Sequence, residues 1–416
     1  MITNSQYKFA PKSLKIISLV CACLVPIIVT GPFLPDLLVT TMSIWFLYYT
    51  LKNKIYYIYR NIYFYFFLGF WLICILSSLL SDSILFSLKA SFFYIRIAIF
   101  ALLISYLIEK NKKILDYFYY SFLITYTSLI IDGYFQYFTN FNIFGYPLIA
   151  NRVSSFFGKE LILGSFLARL FPLLFSLFII RSNKHPLEVY FISLLFILID
   201  ILIFLSGERA SFALLNLSTI FVILFISNYK KLRLATFIIS ILIIIFLGFN
   251  NKKLVDRYIS SPIESMNLKH DDKYMFTPVH DSLIKTAWKM FLDKPILGHG
   301  PRLFRIKCSD PKYATGNYPC DVHPHNFYIQ LLSETGIIGF LFLAGLFFYL
   351  IFVTGLHVFK YFIHKKKFLS DYQIGLLSGL LITVWPLVTN GNLFTNHLMI
   401  MYGLQMGFFK KTFNRK

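Results

Sequence analysis

The sequence predicts an all-α polytopic membrane protein: about twelve transmembrane helices, with one large outward loop containing short helices. Three observations predict it. Of 416 residues, 57% are hydrophobic, 19% aromatic and only 14% charged, and mean hydropathy is +0.67; soluble domains carry about 25% charged residues. No single water-soluble core could hide that much apolar surface. Apolar runs of about 20 residues recur, the length that fits a hydrocarbon layer roughly 30 Å thick. Short cationic clusters alternate with these runs.

The predicted spans are 14–31, 34–51, 62–81, 86–108, 115–132, 159–180, 188–206, 210–227, 233–249, 335–356, 372–390 and 394–411. The chain thus divides into transmembrane helices one to nine (1–249), an outward loop (250–334) and helices ten to twelve (335–416). With a cytoplasmic N-terminus, six clusters fall on one side: Lys52/Lys54/Arg60, Lys110/Lys112/Lys113, Arg181/Lys184, Lys230/Lys231/Arg233, Lys365/Lys366/Lys367 and Lys410/Lys411/Arg415/Lys416. That is the positive-inside pattern, and it puts the C-terminus in the cytoplasm too. The formal charge of +21 is therefore membrane anchoring; no basic groove or stacking motif accompanies it, so nucleic acid is not an expected partner. Lys8, Lys12 and Lys15 precede the first apolar run, which reads as an uncleaved helix because further spans follow at once. No inverted repeat of the transporter kind is visible.

Two outward segments exceed a turn. The first, about 133–158, is aromatic and Asn-rich, contains Arg152 and leads into Gly158-Lys159-Glu160. The second, 250–334, is the only large hydrophilic stretch and holds five of the nine histidines. In it Leu283, Ile284, Ala287, Trp288, Phe291 and Leu292 recur at helical spacing, which predicts an amphipathic helix lying on the membrane or capping the bundle. Pro295 ends it, and Gly298-His299-Gly300-Pro301 forms a tight turn. Cys21, Cys23 and Cys74 lie in spans as packing groups. Cys308 and Cys320 both fall in the outward loop, where an oxidising compartment favours a disulfide. The rival is a metal site built on Cys320, His323 and His325, restricted by the intervening proline.

The most informative string runs from His323-Pro-His325-Asn326 to Gly336 and Gly339. Pro324 is expected to start a helix with His325 near its N-terminus, and Asn326, Gln330 and Ser333/Glu334 share one polar face. A neutral imidazole at such an end can act as general base for a sugar hydroxyl; the other reading is a capping histidine at the membrane interface. His325-Asn326, nine residues, then Gly336 and Gly339 before an apolar helix resembles the hallmark of the O-antigen ligase and polymerase superfamily. Asp293-Lys-Pro-Ile-Leu-Gly-His-Gly-Pro301 with Phe304, Ser206-Gly-Glu-Arg209-Ala-Ser and Arg152-Val-Ser-Ser-Phe-Phe-Gly are similar to that family's other motifs, in order.

The resemblance implies a membrane glycosyltransferase of the bacterial inner membrane with a periplasmic active site. Its donor would be a polyprenyl (undecaprenyl) diphosphate-linked glycan, its acceptor lipid A–core or a second glycan, with no metal and no cofactor. His325 would deprotonate the acceptor hydroxyl and Arg209 would hold the diphosphate. His280 stands where the family carries a second arginine, and an imidazole holds phosphate well only when protonated; Lys285, Arg302 or Arg305 would compensate. Arg152, Lys159, Asn326 and Gln330 join the expected substrate contacts. Lys89, Arg96 and Arg169 lie within spans, where an unpaired cation costs at least about 2.5 kcal/mol. Arg96 and Arg169 sit roughly 15 Å deep and are expected to line a cationic, water-accessible cavity, a buried ion pair with Asp132 or Asp200 being the alternative. Between ligase and polymerase the loop and His-Asn motif lean to ligase; a flippase for the same lipid-linked glycan fits the spans and buried cations equally.

Overall fold

The computed structural model describes residues 12–181, 185–265 and 277–413. Lys8, Lys184, Arg415 and Lys416 lie outside them, as do the side chains of Lys410 and Lys411. Among the described residues the regular structure is helical, with two isolated β-bridges.

Helices occupy all twelve apolar segments. The first is broken into α1 (Lys12–Ala22) and α2 (Leu24–Ile28), followed by α3 (Phe33–Lys52) and α4 (Ile62–Leu79). A 3-10 turn at Phe92–Tyr94 joins α5 (Ile84–Ser91) to α6 (Ile95–Lys110). Then come α7 (Ile114–Thr139), α8 (Leu163–Ile180), α9 (Pro186–Leu205), α10 (Arg209–Phe225) and α11 (Lys230–Asn250). Short helices α12 (Lys252–Val255), α13 (Ser261–Ser265), α14 (Pro278–Asp293) and α15 (Phe304–Lys307) belong to the hydrophilic stretch; α16 (Phe327–Ile363), α17 (Asp371–Thr383) and α18 (Asn396–Phe413) follow. Among the described residues, seven are long and apolar enough to cross a membrane: α4, the α5–α6 run, α7, α8, α9, α11 and α16. α10 is apolar but shorter.

The core is α8, buried along nearly its whole length. α17 lies against it through Gly375 and Gly379: a Cβ on Gly375 would stand 2.1 Å from Ser176 Oγ, and one on Gly379 3.1 Å from Pro172 Cβ. Small residues four apart let two backbones approach without hydrophobic help from the solvent. Gly403 and Gly407 do the same for α18, against Ile97 and Ile104 of α6.

Three expectations need correcting here. Arg233, expected in a cytoplasmic loop, is buried in α11 and makes a two-pronged bond to Asp200 of α9 at 2.8 and 3.0 Å, with Thr219 Oγ1 at 2.8 Å. The span predicted at 372–390 stops at Thr383, because Pro386 removes a helix donor and pushes Trp385 out of the helical region; 384–395 is irregular. α16 is not continuous: Gly336 has φ 66° and ψ −168° and splits it in two.

That split is made by docking. His299 N–H donates to Ser333 O (3.0 Å), Gly300 N–H to Glu334 O (2.8 Å) and Ile337 N–H to Pro295 O (2.8 Å). Ser77 Oγ of α4 bonds both Leu297 O (2.6 Å) and Glu334 O (2.9 Å). Above the lock, α14 buries Leu283, Ala287 and Met290 with Phe304, Cys308 and Tyr313 in a second small core. Trp288 and Leu292 stay exposed. Cys308 and Cys320 are disulfide-bonded, which takes the thiol from the rival metal reading.

Two outcomes follow. Gly336→Ala meets Ile296 O at 2.2 Å in a left-handed conformation and should destabilise by more than about 1 kcal/mol, read as a drop in melting temperature in detergent. Arg233→Met should cost roughly 3–5 kcal/mol by stranding a buried carboxylate, and adding Asp200→Leu should restore most of it.

Candidate active site

One end of the bundle holds a cavity of about 1290 Å³. Its wall comes from the α2–α3 turn, the 146–162 segment, α8, the start of α10, the hydrophilic stretch and residues 389–398. Seven cations face it (Arg152, Lys159, Arg169, Arg209, Arg257, Arg302 and Arg305) against the carboxylates Glu160 and Glu208.

The turn Ser206-Gly207-Glu208-Arg209 gathers three of them. Gly207 has φ +66°, and a Cβ there would meet Arg152 Cγ at 2.8 Å. Arg152 Nε donates to Ser206 O (2.9 Å), Arg257 Nε donates to Gly207 O (3.0 Å), and Arg209 opens α10. Burial lowers the Arg152 pKa, which Glu208 partly offsets. Glu208 accepts the N–H groups of Gly164 (2.7 Å) and Ser165 (2.9 Å), so it ties this turn to the N-terminus of α8. Burial pushes its carboxyl up, against the bonds from Ser211 and those two amides.

Farther along α8, Arg169 bonds Ser165 Oγ and donates to Asn390 Oδ1 at 3.0 Å. Asn390 is a hub: its N–H donates to His325 O (2.8 Å), and its own carbonyl accepts from His323 Nε2 (3.1 Å). His325 therefore sits before the helix, at φ 55°, with Asn326 as the N-cap of α16. The expected helix start at Pro324 is displaced because Asn326 Oδ1 takes the first free amides, of Tyr328 and Ile329. His325 Nε2 lies 2.9 Å from Asp321 Oδ2. Partial burial pushes Asp321 up, but the bonds from His325 and Val322 N–H, with the nearby imidazoles of His325 and His323, together outweigh it and hold its carboxyl below the usual range. The His325 ring is 4.1 Å from that of His323 and 5.3 Å from that of His280, centre to centre. Burial, then His325 and Arg209, lower the pKa of His280, so at neutral pH it is uncharged. Burial brings His323 down to about 4.

Arg302 and Arg305 are aimed by a buried acid. Glu334 Oε1 accepts from Phe304 N (3.0 Å), fixing the turn that carries both arginines. Their Nε–H groups, and that of Arg169, are buried without an acceptor among the described residues. Such donors suit an anion.

The structure thus gathers His325, His280, Arg209, Arg152, Lys159, Arg169, Arg302 and Arg305 at one cavity. It does not bring in Arg96, Asn326 or Gln330. Arg96 forms an ion pair with Asp36 and bonds Phe93 O (3.1 Å), the low-dielectric answer to a buried cation. Lys89, expected within a span, is exposed on α5, separated from Arg96 by the 3-10 turn. Lys285 pairs with Asp281 (2.7 Å) on α14 instead of compensating for His280. Asn326 Nδ2 bonds Pro386 O (2.8 Å), while Gln330 bonds Glu334, Asn392 and Leu393 N–H; both hold the chain and have no free donor to offer. Asp132 accepts from Ile143 N and Ser155 Oγ and meets no arginine. Asp321, Glu208, Arg257 and Asn390 were missed. Only Pro386 and the Asn390-Gly391-Asn392 run marked the last of them in the sequence.

Residues 191–344, less than half of the chain, match the family model described as O-antigen ligase. This segment is an O-antigen ligase superfamily domain. No curated protein matches the chain in sequence. The ligase-family domain contributes Arg209, Arg257, His280, Arg302, Arg305, Asp321 and His325, whereas Arg152, Lys159, Arg169 and Asn390 come from outside it.

His323 supplies a pH test. A pKa depressed from 6.5 to about 4 means the unfolded chain binds the extra proton first, so stability is lost as pH falls from about 6.5 towards 4, by up to roughly 3 kcal/mol. Melting scans should show this acid loss, and it should shrink in His323→Gln.

Proposed function

We propose that the protein transfers a glycan from a polyprenyl (undecaprenyl) diphosphate donor to a sugar hydroxyl, with lipid A–core as acceptor. The reaction takes place on the periplasmic face of the bacterial inner membrane. In this reading residues 250–334 are the periplasmic loop and both termini are cytoplasmic. The observation that carries it is His325, hydrogen-bonded to Asp321, in the wall of a cavity with seven cations.

The chemistry follows from the geometry. Asp321 takes the Nε2–H of His325, which fixes the tautomer and leaves Nδ1 basic. That nitrogen accepts the acceptor hydroxyl's proton as its oxygen bonds the donor sugar's anomeric carbon. The bond from that carbon to the diphosphate oxygen breaks, and the electron pair leaves on the lipid diphosphate. Arg152, Arg209 and Arg257 meet the growing negative charge from one wall, Arg169, Arg302 and Arg305 from others. His280, neutral and bonded through Nδ1 to Thr277 Oγ1 (2.7 Å), is not assigned to the phosphate. It flanks the base.

Reconstitution with purified donor and lipid A–core tests the reading. His325→Ala should lower transfer roughly 100- to 10,000-fold, with folding unchanged. Asp321→Asn should lower it less and move the acidic limb of the rate profile. A ladder of product still on polyprenyl lipid would mean a polymerase. A donor trapped on the inner leaflet in His325→Ala membranes would mean a flippase.

A further inference from the structure

The geometry points to the 139–158 segment as a rigid wedge seated in the outer lipid leaflet, where it holds one wall of the cavity at headgroup depth. α7 carries a lipid-facing stripe, with Ile124, Ile131 and Phe135 exposed on one side of a helix long enough to cross the membrane. Phe138 (76% exposed) ends the stripe. Beyond it the chain makes a hairpin whose tip again exposes apolar groups: Phe141 at 53%, Ile143 at 59% and Phe144 at 69%. Soluble loops do not present such a run; aromatic groups at this level are the mark of a membrane interface. The occupant is bilayer lipid, because the patch continues a surface that already faces lipid.

Its base is unusually well fixed for a loop. Asn142 N–H bonds Tyr146 O (2.9 Å) and Asn142 Oδ1 accepts from Phe144 and Tyr146 N–H, with Gly145 at φ +83° closing the tip. Two buried groups of α7 brace it: Asp132 accepts from Ile143 N (2.8 Å) and Ser155 Oγ (2.6 Å), and Gln136 Oε1 from Ser154 N (2.9 Å) and Ser155 N (2.7 Å). These bonds hold the backbone polar groups that lipid would leave unsatisfied. The exposed tip is coupled to the cavity: the Phe144 ring packs 5.4 Å from Phe156, and Phe156, Lys159 and Arg152 line that wall. Lipid on one side of the wedge and the cationic wall on the other would present a lipid-anchored diphosphate to the site without leaving the bilayer. This last step rests on the proposed transfer; the seating in lipid does not.

The full chain in lipid nanodiscs, with Cys23→Ser and a nitroxide on Phe144→Cys, tests the seating. The label should be relaxed by dissolved oxygen and shielded from an aqueous nickel chelate; relaxation by the chelate as in free solution would overturn the proposal. Ile143→Asp with Phe144→Asp then tests the consequence. Turnover of a long polyprenyl donor should fall about tenfold, the factor set by 1.4 kcal/mol, with a water-soluble short-prenyl donor spared. Equal loss on both donors would overturn the presenting role. No transfer by the unaltered protein on either donor would remove the glycosyltransferase reading and leave the depth result standing.

Discussion

The hydrophilic stretch and the start of α16 depend on one backbone contact, the docking of the Pro295–Pro301 turn into the break at Gly336. Neither partner could exist alone. The turn needs acceptors for His299 and Gly300, and the break in α16 frees the carbonyls of Ser333 and Glu334 that supply them. The contact is so close that a Cβ at Gly298 or Gly336 would overlap backbone atoms of the other strand. From this lock hang the Glu334 carboxylate that fixes Arg302 and Arg305, and, on the N-terminal side of the break, the short helix capped by Asn326 just after His325.

The second constraint is the cost of charge in an apolar medium, and the protein meets it in two ways. Arg96 and Arg233 are neutralised by Asp36 and Asp200 and serve the bundle. Arg169, bonded to Ser165 and Asn390, and Arg302 and Arg305 instead form no ion pair among the described residues and face the cavity. An array of that kind is stable only if water or an anion occupies the space before it. Carboxylate partners thus set Arg96 and Arg233 apart from the three arginines that face the cavity.

His325 lies in a loop, yet its position is fixed. It is held from three directions: its carbonyl by Asn390, its ring by Asp321, and its neighbour Cys320 by the disulfide to Cys308. Asn390 also links it to Arg169, so imidazole and guanidinium share a single support. That support is the irregular 384–395 segment, backbone that breaks its helix only where it is buried in protein and lines a cavity.

The sequence by itself determined the helical membrane class, because apolar runs and cationic clusters are local and additive. It also marked His325 and six of the cavity's seven cations, all but Arg257, most of them in short motifs whose order survives folding. It did not determine which buried charges are paired. Arg96 looks like Arg169 in one dimension and Arg233 like a loop cation, and only the packing of α3 against α6 and of α9 against α11 brings their carboxylates into reach. Nor did it distinguish Asn326 and Gln330 from substrate contacts, since their free bonding capacity is used by residues some sixty positions away. Tertiary structure decided those roles because hydrogen bonds and ion pairs are satisfied between elements, while hydrophobic periodicity is written within each one.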